Sequence, residues 1–367
     1  MKEQETSGAA ATARDDLKPK RQRRWLRTIL GVAVSLGLLA LVFRGADARE
    51  IVDALRRVSP VYVLAALLID YASIPLRAVQ WRWLLGNPHD VPLRESLRGI
   101  CLGYLGNCLF PMRGGELLKA FVLSRSTPLA FGRILMSVVL TRLQDFLPVL
   151  AILFLTFTMV NLDEGIAIGG EGSGEAWVVS GDQLNRASHV FAAGVAAGAV
   201  ALLAFYLWRG LIQRTITRVL PWAPERIRAK LGRQLTQALQ AIEVVGAPRL
   251  FWGAQAVSAI CWGLFVCTQI PLLLAFGIEP RAAVFTAIVT MGLTTIAQML
   301  PSLPGAVGTY HATCVVALLL CNPAMDRNAA LAYAVLSHLI GSFGPALTGF
   351  VFLPGSWQYL RLYRRRT

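Results

Sequence analysis

The sequence predicts an all-α, polytopic integral membrane protein: a helical bundle of about six full spans plus two interrupted, re-entrant helical hairpins in an inverted repeat. Three observations predict it. Of the 367 residues, 55% are hydrophobic and only 16% charged. Several stretches exceed about 18 residues almost without charge, enough to cross roughly 30 Å of hydrocarbon as a helix. No alternating strand pattern of a barrel accompanies them, so each span satisfies its backbone as a helix. Finally, two apolar segments are broken by polar and glycine-rich residues, at 103–125 (GYLGNCLFPMRGGELLKAFVLSR) and at 298–311 (QMLPSLPGAVGTYH).

Charge and cysteine usage exclude other classes. The net charge of +15 gathers at the ends of apolar spans, the positive-inside pattern that sets orientation. No separate basic domain offers itself to nucleic acid. Cys101, Cys108, Cys261, Cys267, Cys314 and Cys321 lie in or beside apolar segments without metal-ligand spacing, so packing is their expected role.

Residues 1–24 are polar and basic and read as a disordered cytoplasmic tail. The apolar run at 26–44 lacks a small-residue cleavage site and is predicted to be a retained first span. Lys18, Lys20, Arg21, Arg23, Arg24 and Arg27 before it place the N-terminus inside. A mixed-charge segment, 47–57, follows outside. Span two is expected at 58–76, and RAVQWRWLL (77–85) reads as a headgroup-level belt of Arg77, Arg82, Trp81 and Trp83.

The first interrupted element comes next. From Gly99 to Phe110, and again from Glu116 to Ser124, the apolar arms run only about 12 residues or fewer, roughly 18 Å of helix. A hairpin that enters from the cytoplasm, breaks at Pro111 and returns fits both arms. Thr127–Pro128 reads as the start of a helix reaching Val160. It carries Arg142 and Asp145 one turn apart, and Pro148 leaves the carbonyl of Gln144 without its helical donor.

Residues 161–187, glycine-rich and acidic, read as an outer loop, and 188–208 as a returning span. Within 209–248 a strongly basic stretch places Leu231, Leu235, Ala238, Leu239 and Ile242 on one helical face. It is predicted to be an amphipathic segment on the anionic inner leaflet. A span at 250–276 precedes the second interrupted element, 282–321, broken between Pro301 and Gly308. A last span at 329–353 leads to the basic tail 356–367, with both termini cytoplasmic and 25–355 forming the membrane domain. The order span, span, hairpin, span occurs twice in opposite orientation, which predicts a midplane site between the broken helices.

Each break offers a returning helix N-terminus behind glycines, where unpaired N–H groups and the positive end of the dipole attract anions. Gly114 and Gly115 open one arm; Pro304, Gly305 and Gly308 open the other. Arg113 and Lys119 add full charges, so the expected ligand is an anion such as a lipid phosphate. Glu116 in the first turn either caps and pairs with Arg113 or Lys119, or competes with the ligand for them. Arg142 and Asp145 are an ion pair that locks the helix or a relay that substrate opens. His311, His338 and Tyr310 are packing groups or contacts to substrate and protons. Asn107 and Gln298 serve helix–helix bonding or the ligand. No nucleotide, zinc or nucleophile-elbow motif appears in the sequence. The expectation is accordingly no cofactor, no metal and no catalytic residue.

PMRGGELLKAFVL (111–123), TRLQD (141–145) and PSLPGAVGTYHATCVVAL (301–318) resemble the lysylphosphatidylglycerol synthase transmembrane-region family, also described as flippase-like membrane proteins; RAVQWRWLL matches more weakly. The resemblance is spread over most of 25–355. It implies a bacterial-type inner-membrane protein that moves, or helps to modify, polar lipids. Lys119, Thr141 and His311 stand where the family usually has arginine, glutamate and glutamate. Members that synthesise lysyl-lipids carry a soluble aminoacyl-transfer domain, and this chain ends at Thr367 before one. The expected activity is therefore non-enzymatic translocation of an anionic or polyprenyl-linked lipid. An enzyme or enzyme subunit using Glu116, Asp145 and His311, and a carrier of small anions, are the alternatives. Membrane lipids are the expected partners, and lipid-biosynthesis enzymes and a second copy of the chain are the others the reading allows.

Overall fold

A computed structural model describes residues 33, 35–86, 90–110, 114–159, 166–168, 177–179, scattered positions between 193 and 222, 247–299 and 303–364. The expected tail 1–24, most of the amphipathic segment 209–248 and of the span 188–208, the first part of the span 26–44, and Pro111 and Arg113 at the first break lie outside them. The architecture is the predicted all-α, multi-pass membrane bundle: among the described residues, six helical stretches are long and apolar enough to cross a bilayer.

The end of the first expected span is helix α1 (35–43). Asp47 then caps α2 (Ala48–Arg57), accepting from the Arg49 N–H at 2.7 Å. Helix α3 (Pro60–Leu84) starts with proline at its first position and runs 25 residues, about 37 Å. It continues past the expected end at 76, because Arg77 has a buried counter-ion and Gln80 buried hydrogen bonds. The belt expected at 77–85 is therefore corrected: Arg77 and Trp81 are buried, and Trp81 is fully so.

Helices α4 (Leu93–Leu109) and α5 (Gly115–Ser126) are the arms of the first interrupted element and pack on each other. The first arm is 17 residues, longer than expected. Its charged start is tolerated because Arg98 donates to both Glu95 oxygens, at 2.7 and 2.8 Å. Thr127 does not open the next helix. Its N–H and hydroxyl both donate to the Leu123 carbonyl, at 3.0 and 2.8 Å, and so close α5. The long helix α6 begins instead at Phe131 and ends at Met159. The carbonyl that Pro148 frees on Gln144 accepts from the Gln255 amide at 3.2 Å.

In the segment expected to be an outer loop, Ile166–Ile168 (β1) and Trp177–Val179 (β2) pair antiparallel, a pairing their β-branched and aromatic residues favour. Helix α7 (Pro248–Ala275) follows and packs most broadly on α3. The second interrupted element is α8 (Pro280–Met299), a 3-10 turn at Pro304–Ala306 and α9 (Thr309–Cys321). Its 20-residue first arm spans about 30 Å, a whole membrane core rather than part of one. Asp326 caps α10 (Arg327–His338), which passes through a π turn (Leu339–Phe343) into α11 (Gly344–Arg364).

Two cores organise the bundle. One joins α3, α7, α8, α9 and α10; the other joins α3, α4, α5 and α6. Helix α3 belongs to both, which places it between the two interrupted elements.

Candidate functional site

The first break is closed by close backbone approach. A Cβ at Gly115 would collide with the Gly103 carbonyl and the Asn107 amide, so only glycine lets α5 start this tightly against α4. The N-cap of α5 is Gly114, with no side-chain cap. Behind it the polar residues meet in one alternating chain of charge. Lys119 Nζ lies 2.6 Å from Glu116 Oε2, and Glu116 Oε1 accepts from Arg142 Nη2 at 2.6 Å. Arg142 Nη1 donates to Asp145 Oδ2 at 3.1 Å, and Asp145 Oδ1 is held by Arg77. Ser258 Oγ and Trp262 Nε1 on α7 donate to the same oxygen, at 2.8 and 3.2 Å.

Burial changes along this chain. Arg77, Asp145 and Lys119 are buried, whereas the Arg142 side chain is 45% exposed. Arg142 lies eleven residues into α6, about 16 Å along its axis, so a guanidinium opens outward near the middle of a span. Leu109, Phe110 and Leu117, beside the same break, are also exposed. Lys119 Nζ sits 5.2 Å from the centre of the Trp81 ring, a cation–π contact that offsets part of its desolvation.

The second break is an aromatic and imidazole cluster. Gly305 and Gly308 have φ of 71° and 93°, the left-handed region that glycine enters freely. A Cβ at Gly308 would also strike the Ser35 carbonyl of α1. Ser35 Oγ accepts from the Leu303 N–H at 3.0 Å. The Gly305 carbonyl lies 2.8 Å from His338 Nε2, and the Gly308 N–H donates to His311 Nδ1 at 3.4 Å. Tyr310 stacks on His338 at 4.4 Å and shares a 3.1 Å hydrogen bond with Ser337.

The structure thus gathers the predicted residues into two groups. Gly114, Gly115, Glu116, Lys119, Arg142 and Asp145 form the first; Pro304, Gly305, Gly308, Tyr310 and His311 form the second. Helix α4 lies between them. Gly103 abuts Lys119 and Gly115, while the 3-10 turn packs on the same helix and Cys108 Sγ reaches the Ser342 carbonyl at 3.6 Å. The sequence reading missed Arg77 as a member of the charge chain. It also passed over Gln80, Gln144, Gln255, Ser258 and Trp262, which surround that pair. Their signal was available: glutamines inside otherwise apolar helices.

Glycosyltransferase AglD of Haloferax volcanii is 28% identical over 342 residues, covering 88% of this chain and 53% of that protein, so the chain spans about half its length. A UPF0104 membrane protein of Methanothermobacter thermautotrophicus is 23% identical, covering 78% of this chain and 82% of that one. Another from Pyrococcus horikoshii is 22% identical, covering 90% and 96%. A family model described as the lysylphosphatidylglycerol synthase TM region matches residues 28–349. With the match running from the first span to the last, the chain belongs to the lysylphosphatidylglycerol synthase transmembrane-region family.

Proposed function

We propose that this protein translocates a polar lipid, anionic or polyprenyl-linked, across the cytoplasmic membrane, with both termini inside. The headgroup phosphate is held near the first break while the acyl or prenyl chains stay in the bilayer. One observation carries the reading: a chain of three cations and two carboxylates has an outward-facing Arg142 as its middle member, beside the start of α5. A surplus positive charge at a helix N-terminus suits a phosphate. The exposed Leu109, Phe110 and Leu117 alongside suit a ligand whose other part is hydrocarbon, which favours lipid over a small soluble anion.

Glu116 is engaged by both Lys119 and Arg142. An arriving phosphate competes with it for Arg142, which keeps binding reversible. The second interrupted element repeats the long-arm, short-arm plan of the first, 20 and 13 residues against 17 and 12, which supports an inverted repeat. A transferase reading draws on the name of the Haloferax relative. Against it, Glu116 and Asp145 are both tied to cations and so poorly placed for proton transfer.

The test is reconstitution. Vesicles containing the purified protein are expected to move a fluorescent anionic phospholipid between leaflets faster than empty vesicles. Arg142→Gln is expected to slow this by about 10- to 100-fold, the worth of one charge-assisted hydrogen bond. Equal rates with and without protein would end the proposal.

A further inference from the structure

Asp70 belongs to neither group of predicted residues. It lies ten residues into α3, about 15 Å from the helix start, and is 2% exposed. Its Oδ2 is buried without a hydrogen-bond partner among the described residues. The acids of the charge chain differ: Asp145 is paired with Arg77 and Arg142, and Glu116 with Lys119 and Arg142. A lone carboxylate at membrane depth is tolerated when a bound cation or proton accompanies it, and such residues mark ion and proton pathways.

The surroundings select the proton. Among the described residues, the titratable groups on elements packed around this stretch include Cys101 and Tyr104 of α4, Cys261 of α7, Asp145 of α6, Tyr310 and Cys314 of α9, and Tyr333 and His338 of α10. Tyr104 and Tyr310 are within electrostatic range of the Asp70 carboxylate. Asp145 is committed to its arginines, and His338 to the Gly305 carbonyl. One carboxylate among phenols and thiols is a poor cage for a metal cation, which needs several oxygens at once. A proton needs one oxygen and no added volume.

Position supplies the coupling. Arg77, which anchors the charge chain, lies two turns further along the same helix, and Pro75 stands between them. That proline removes one helical hydrogen bond and so provides a bending point. Tyr71, next to Asp70, donates its hydroxyl to the Gly344 carbonyl at 2.8 Å, tying this stretch to the π turn beside the second break.

We propose that Asp70 is the proton site of the transport cycle. An O–H bond forms at Oδ2 with a proton from water on one side and breaks to water on the other as the headgroup crosses. Nothing is oxidised or reduced. The charge change on α3 is relayed through the Pro75 bend to Arg77. This inference rests on the lipid-translocation reading.

The experiment uses the full chain in phosphatidylcholine vesicles with a trace of acyl-labelled phosphatidylglycerol, with and without an imposed pH gradient, and a lumenal pH dye. In wild type the gradient is expected to change the transfer rate by about fivefold or more, and lipid movement to be accompanied by proton movement. Asp70→Asn, with wild-type circular dichroism, is expected to lose that response, and Asp70→Glu to restore it. If wild type moves the lipid but neither the gradient nor the dye registers it, the proton site is overturned and the translocation reading stands. The same holds if Asp70→Asn responds like wild type, or if a sodium gradient at constant pH replaces the pH gradient. If wild type moves no lipid, both fall.

Discussion

At the scale of single residues, Asp145 is the centre of the charge chain. Its Oδ1 is met by Arg77, Ser258 and Trp262, and its Oδ2 by Arg142. Taking two charges out of water costs about as much as their attraction returns, so the intact pair adds little net stability. Removing one member is different, because the survivor is left buried and uncompensated. Asp145→Ala is therefore expected to destabilise by about 3–5 kcal/mol, and Arg77→Met by a similar amount. The double variant is expected to cost much less than the sum, because neither orphan remains. Unfolding in detergent, followed by far-UV circular dichroism in a double-mutant cycle, measures this. Additive losses would show that the two side chains act separately. Half of this network could be read from the sequence: Arg142 and Asp145 sit one turn apart on one helix. Arg77 could not, because its partner is far along the chain and an arginine followed by tryptophans at a span end matches the composition of an interfacial belt.

At the scale of elements, the broken helices were legible because proline and glycine act locally. Phe110 and Gly114 flank the first break, and the Gly305–Gly308 turn carries positive φ at both of its glycines, with Ala306 between them also at 57°. Arm lengths were less legible. The Arg98–Glu95 pairing and the Asp145 counter-ion for Arg77 let α4 and α3 extend through charged residues that hydropathy alone would exclude. Gly115 tests whether the close contact of α4 and α5 is required. A methyl group there meets the Gly103 backbone, which has no rotamer to yield, so Gly115→Ala is expected to destabilise by about 1–3 kcal/mol. Gly263→Ala is the matched control. It lies within α7, where a Cβ meets nothing within 4 Å, and relief of glycine's backbone freedom is expected to stabilise by about 0.5–1 kcal/mol. Thermal unfolding of the two variants in one detergent should shift in opposite directions. A Gly115→Ala protein as stable as wild type would mean that the hairpin tip is looser than its geometry requires.

At the scale of the whole molecule, packing is inverted relative to a soluble protein. Val61, Leu64 and Leu68 face outward on α3, while Asp70, Arg77 and Gln80 are buried. That pattern places a bilayer around the bundle but leaves its direction open, and direction follows from charge. The basic residues cluster at Lys18–Arg27, at Arg209–Arg233 and at Arg361–Arg366, whereas Asp163, Glu164, Glu171, Glu175 and Asp182 share one loop. Retention of Lys and Arg on the cytoplasmic side is then expected to put both termini and the 209–248 stretch inside and the acidic loop outside. Insertion of a reporter active only in the cytoplasm is expected to give signal at residue 10, at residue 225 and after residue 367, and none at residue 172. A periplasm-active reporter is expected to give the reverse. The direction matters to the proposed function, because both ends of the first interrupted element are then cytoplasmic and the Arg142 opening is reached from the inner leaflet first. A reversed reporter pattern would turn that site toward the outer leaflet, and the same charge chain would then load lipid from the other side.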